Sequence, residues 1–65
     1  MSYNDNMFKV HKTNFNDWAP GTFDTLNEAI DYAEEIGFEC GVYQFDGGEW
    51  HLVATYSPIS GRKRA

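Results

Sequence analysis

The chain has 65 residues, a formal net charge of −5 at pH 7 and a single cysteine, Cys40. That length holds one domain, residues 1–65, which buries only roughly 60% of the surface its unfolded form exposes. One thiol excludes an intramolecular disulfide and a cysteine-rich zinc site.

Met1 to Asn6 lack the basic start and apolar run of a signal peptide, and no window approaches the roughly 18 apolar residues of a membrane-spanning helix. The expectation is therefore a soluble, cytoplasmic protein that makes no membrane contact. Met7 to His11 alternates Phe8 and Val10 with Lys9 and His11, the period-two pattern of a half-buried first strand. Asn14 to Thr22 is broken by Asn16, Asp17, Pro20 and Gly21 and reads as a loop, with Phe15, Trp18 and Phe23 anchoring it in the core or, as the alternative, forming an exposed binding rim.

Thr25 and Glu28 have the spacing of a capping box, and Gly37 supplies a stop, so a helix is predicted from about Leu26 to Ile36. Leu26, Ala29, Ile30, Ala33 and Ile36 recur at intervals of three and four and form one apolar stripe, which must face a sheet.

Phe38 to Phe45 and Glu49 to Tyr56 read as the strands of a hairpin around Asp46-Gly47-Gly48. A three-residue loop is expected, because it places Phe38, Cys40 and Val42 on the same face as Trp50, Leu52, Ala54 and Tyr56. The opposite face then carries Glu39, Tyr43, Phe45, Glu49, His51, Val53 and Thr55, a candidate binding face.

Ser57-Pro58 ends the last strand, since proline has no amide for the ladder. Residues 7–59 are the expected ordered core and 60–65 a flexible basic tail. The predicted fold is α+β in the order β-α-β-β. It has a three-stranded antiparallel sheet with the first strand beside the third, and one helix packed on one face. A parallel pairing of the first two strands through the helix is the alternative.

All five Lys and Arg residues, Lys9, Lys12, Arg62, Lys63 and Arg64, lie outside the span from Thr13 to Gly61, while every one of the ten acids except Asp5 lies within it. Acidity of this kind keeps a small domain soluble, but ordinary surfaces intersperse the two signs, and a one-sign middle costs self-repulsion.

Asp24, Glu28, Asp31 and Glu35 follow spacings of four, three and four, one carboxylate stripe opposite the apolar stripe. Carboxylates offer arginine the same forked geometry as phosphates, so such a row imitates a nucleic-acid backbone. Glu34 lies beside this stripe, Glu39, Asp46 and Glu49 add charge on or near the sheet, and Tyr43 and Phe45 add aromatic anchors. Asp24, Glu28, Asp31, Glu34, Glu35, Glu39, Tyr43, Phe45, Asp46 and Glu49 are the candidate partner-binding residues.

Catalysis is not expected. Cys40 and His51 fall on opposite faces of the expected hairpin, and neither His11 nor His51 has metal-ligand spacing. Asp46-Gly47-Gly48 lacks the lysine and helix start of a phosphate loop. No cofactor or metal is expected.

The stretch Phe23-Asp-Thr-Leu-Asn-Glu-Ala-Ile-Asp-Tyr-Ala-Glu-Glu, followed by a hairpin and a short tail, resembles in style, size and charge the small acidic proteins that phages encode against their hosts. These include anti-CRISPR proteins, anti-restriction DNA mimics and inhibitors of host RNA polymerase. The resemblance implies a stoichiometric inhibitor that occupies the basic DNA-binding surface of a defence complex, with a CRISPR surveillance complex as the leading candidate. The basic tail and moderate acidity depart from the most extreme mimics.

Two other functions compete with this one. In a nucleic-acid-binding module, Tyr43, Phe45 and Arg62-Lys63-Arg64 would meet a single strand. In an interaction or homodimer module, an open sheet edge or the outer aromatics would mediate assembly.

Overall fold

A computed structural model describes residues 7–64 of the chain. Met1 to Asn6 and Ala65 lie outside the described residues, and with them the expectation about the leading segment. No helix among the described residues is long and apolar enough to cross a membrane.

Strand β1 (Phe8–Lys12) leads through a 3-10 turn at Thr13–Phe15 into the two-residue strand β2 (Asp17–Trp18). Asn16 sits between them at φ 50, a left-handed conformation that asparagine tolerates better than most residues. The turn formers therefore build a hairpin, not a featureless loop. The chain continues back along β1: the Ala19 N–H donates to the Val10 carbonyl at 2.8 Å, and Phe8 and Phe23 exchange backbone hydrogen bonds of 2.9 and 2.8 Å.

Helix α1 spans Leu26–Ile36, as the spacing predicts. The Thr25 hydroxyl accepts the Glu28 N–H at 3.2 Å and donates to the Glu28 carboxylate at 3.2 Å. Gly37, at φ 75, ends the helix with its N–H on the Ala33 carbonyl. Ala29, Ile30 and Ala33 are buried against Phe8, Val10, Cys40, Val42 and Ala54, with Leu26, Ile36, Phe23 and Tyr32 packed around them.

Strands β3 (Cys40–Asp46) and β4 (Glu49–Ser57) are joined by a two-residue turn, Gly47-Gly48, at φ 62 and 84. The three-residue loop expected from the sequence is thus replaced by the tighter turn whose positive φ values match strand twist. A β-bulge cures the mismatch of apolar positions instead. Val42 pairs with Ala54 but Tyr43 pairs with Leu52, so Val53 is the extra residue. On one side of the bulge Cys40 and Val42 face the helix together with Tyr56 and Ala54. On the other side Tyr43 and Phe45 share the opposite face with Leu52 and Trp50. Trp50 and Leu52 are therefore not core residues, and Phe38, 43% exposed, precedes β3.

The Ser57 Oγ accepts the N–H groups of Ile59 and Ser60 at 3.2 and 3.5 Å, tightening the turn into β5 (Gly61–Arg64). Within the segment expected as a flexible basic tail, Gly61–Arg64 form a strand, antiparallel to β4 with Arg62 opposite Tyr56.

Among the described residues the sheet has five strands in the order β2-β1-β3-β4-β5, with antiparallel neighbours, not the three strands expected. The first strand lies beside β3 and not beside the last expected strand, nor is it parallel to its neighbour. The return through β2 explains this. Because Phe23 pairs with Phe8, α1 starts at the beginning of β1 and runs along it, and β3 then comes back beside β1 in the opposite direction.

Candidate functional site

Strand register sorts the side chains onto two faces, because successive residues point to opposite sides. Phe8, Val10, Cys40, Val42, Ala54 and Tyr56 share the face that α1 covers. The opposite, outer face carries Lys9 and His11 from β1, Trp18 from β2, Tyr43 and Phe45 from β3, Trp50, Leu52 and Thr55 from β4, and Lys63 from β5. None of these is acidic. The strand acids Asp17, Asp46 and Glu49 take register positions on the helix side.

Ring contacts knit the outer face together. Trp18 meets His11 at 4.9 Å between centroids, Tyr43 at 5.1 Å and Trp50 at 6.4 Å, and Trp50 meets Phe45 at 5.2 Å. The Lys9 ammonium lies 5.2 Å from the Trp18 ring centroid and 5.6 Å from that of Trp50, within cation–π range of both. Gly41 makes room for the cluster: a Cβ there would lie 3.1 Å from Leu52 Cδ1 and 3.3 Å from Tyr43 Cε1. Trp18 and Leu52 remain 40% and 44% exposed.

The candidate binding residues thus divide between the two sides of the molecule. Tyr43 and Phe45 belong to the outer face. Asp24, Glu28, Asp31, Glu34 and Glu35 lie on the loop and helix across the sheet, Glu39 precedes β3, and Asp46 and Glu49 flank the Gly47-Gly48 turn. Of the other residues expected beside Tyr43 and Phe45, Thr55 is there, Glu49 and His51 take the opposite side, and Val53 packs against the core.

The carboxylate stripe is also not free of bases. Arg62 Nη2 is 2.6 Å from Asp31 Oδ1, and Arg62 Nε is 2.6 Å from Glu34 Oε2. The hydrogen bond from Arg62 holds the Glu34 carboxyl below the usual carboxylate range. Asp24, Glu28 and Glu35 make no ion pair among the described residues.

Cys40 is buried, its Sγ donating to the Phe38 carbonyl at 3.3 Å, and burial pushes its thiol pKa up. The two-residue turn, not the bulge, puts His51 on the same side as Cys40 rather than the opposite one. However, His51 pairs with Gln44, four residues further along β3, roughly 13 Å at the rise of a strand. The arrangement supplies no thiol–imidazole pair.

Sequence reasoning found Tyr43 and Phe45, gave Trp18 only as part of an alternative exposed rim, and missed Trp50, Leu52 and Lys9 as their companions. A signal was present. Two glycines after Asp46 suit a two-residue turn, and that turn sets Phe45 opposite Trp50. Comparison with family models, with characterised proteins and with solved structures gives no match.

Proposed function

We propose that this chain is a non-enzymatic binding protein that docks onto a basic protein partner through the outer face of its sheet. One observation carries the reading. Trp18, Tyr43, Phe45, Trp50 and Leu52 share a sheet face opposite the one that α1 closes, and Trp18 and Leu52 stay well exposed on it. Tryptophan and tyrosine dominate binding energies at protein interfaces, and an apolar centre ringed by polar groups is the usual anatomy of such a patch. The acids stand off that face, so they serve to steer a basic partner toward the molecule.

Inhibition of a nucleic-acid-binding complex, the role that the resemblance to phage inhibitors implies, is one form of this function. Asp24, Glu28 and Glu35, without ion pairs among the described residues, favour a second reading in which the helix itself occupies a nucleic-acid site. The clamp of Arg62 on Asp31 and Glu34 weakens that reading.

The test is capture of protein from a bacterial lysate on immobilised wild type, on a Trp18→Ala/Trp50→Ala variant and on a Glu28→Gln/Asp31→Asn/Glu35→Gln variant, with thermal melts to confirm folding. Docking through the sheet predicts that the tryptophan variant loses the captured protein, each truncation costing about 2 kcal/mol or more, roughly thirtyfold in affinity. The acid variant should keep it at low salt. Loss confined to the acid variant would favour the helix, and recovery of nucleic acid alone would refute a protein partner.

A further inference from the structure

We propose that the groove between α1 and the edge strand β5 accepts an extended acidic segment of another protein, which adds to the sheet as a sixth strand. This site lies at the edge of the sheet opposite to Trp18 and does not rest on the docking proposed for the aromatic face.

β5 ends the sheet order, so among the described residues its far side is unpaired. In an antiparallel strand alternate residues direct both backbone groups to the same side, leaving β5 with N–H and C=O groups for a further chain. Beside that edge runs a groove lined by Leu26, Asn27, Ile30, Arg62, Lys63 and Arg64. Leu26 and Ile30 form an apolar floor for alternate side chains of an added strand, and Asn27 offers an amide at the rim. Arg62 spans from β5 to Asp31 and Glu34 on the helix and so fixes the spacing between the two walls.

Charge decides the occupant. Arg62 is committed to the helix, while Lys63, on the outer side of β5, and Arg64, on the helix side, make no ion pair among the described residues. A second copy of β5 would set Arg62-Lys63-Arg64 against the same three cations, and like charges directly opposite on paired strands are destabilising. A nucleic-acid strand would leave the backbone edge and the apolar floor unused, and would meet the carboxylates of Asp31 and Glu34. An extended peptide alternating apolar and acidic residues uses the edge throughout, with its apolar residues on the floor beside the helix and its acids on the other side, beside Lys63.

The experiment is an NMR titration of the isotope-labelled full chain with an acetylated, amidated peptide of alternating Val and Glu. The site predicts shifts concentrated at residues 61–64, Leu26 and Ile30, with cross-strand contacts between the peptide and the β5 backbone. Replacing Glu by Gln in the peptide should weaken binding by up to about tenfold, and Lys63→Gln in the protein by about threefold, the scale of exposed ion pairs. Trp18→Ala should leave the affinity unchanged, which separates this site from the aromatic face. Absence of shifts at β5, equal binding of the Gln peptide, or the same shifts with an oligothymidylate or inorganic phosphate would each overturn the proposal.

Discussion

Trp18 of β2 and Trp50 of β4 belong to strands separated in the sheet by β1 and β3, yet their rings approach to 6.4 Å between centroids at an interplanar angle of 48°. Tyr43 on β3 touches Trp18, and Lys9 on β1 stands over both indoles. The outer face is therefore one continuous surface across four strands. Two-residue strand β2 has few backbone bonds of its own, so these ring contacts also help to hold it in place.

Lys9 supplies the first prediction. Its two cation–π contacts are worth about 0.5–1 kcal/mol each at a partly exposed site. Lys9→Ala should lower stability in urea by about 1 kcal/mol, and Lys9→Arg should recover most of it. Unchanged stability in Lys9→Ala would show that the ammonium contributes nothing to the cluster.

The hairpin makes a second prediction, because Gly47 and Gly48 both have positive φ. A β-branched residue in that conformation is strained, and the left-handed region costs an L-residue about 1–2 kcal/mol. Gly48→Val should therefore destabilise the domain by at least about that amount, while Gly47→Asn should be nearly neutral. Equal losses from both would contradict the turn geometry.

Acid should release β5 from the helix. The Glu34 carboxyl is held below the usual carboxylate range by Arg62, so its contribution is complete at and above that range and is lost as pH falls through the lowered value. Amide protection at residues 61–64 should drop on acidification below the usual carboxylate range, before α1 melts. In Glu34→Gln this acid step should disappear and the protection at neutral pH should already be lower. Protection of β5 that is the same at all pH values in both proteins would show that the clamp does not hold the strand.

The helix was legible in the sequence because its signals are local. Thr25, Glu28, the Leu26 to Ile36 stripe and Gly37 lie within a short window, and each acts on its neighbours. The sheet was less legible because its order depends on pairings at a distance. The return through β2, which sets β1 antiparallel to β3, rests on Asn16 and on the Phe8–Phe23 bridge, and neither has a strand-like pattern around it. The bulge at Val53 uses an ordinary residue, so nothing in the composition marked the position where β4 changes phase. The two-residue turn put Trp50 and Leu52 on the outer face beside Tyr43 and Phe45, and the phase change at Val53 returned Ala54 and Tyr56 to the helix side. The Arg62 clamp joins residues 28 and 31 positions apart, so the helix acids looked uncompensated in sequence although two of them are paired.

The most direct test of the outer face as the docking surface is site-specific photo-crosslinking. p-Benzoylphenylalanine placed at position 52 in place of Leu52, or at position 28 in place of Glu28, is irradiated in a bacterial lysate and the adducts are identified by mass spectrometry. Docking through the sheet predicts a discrete protein adduct from position 52, abolished by Trp50→Ala, and none from position 28. Adducts from position 28 alone, or only nucleic acid or a second copy of this chain from position 52, would contradict it.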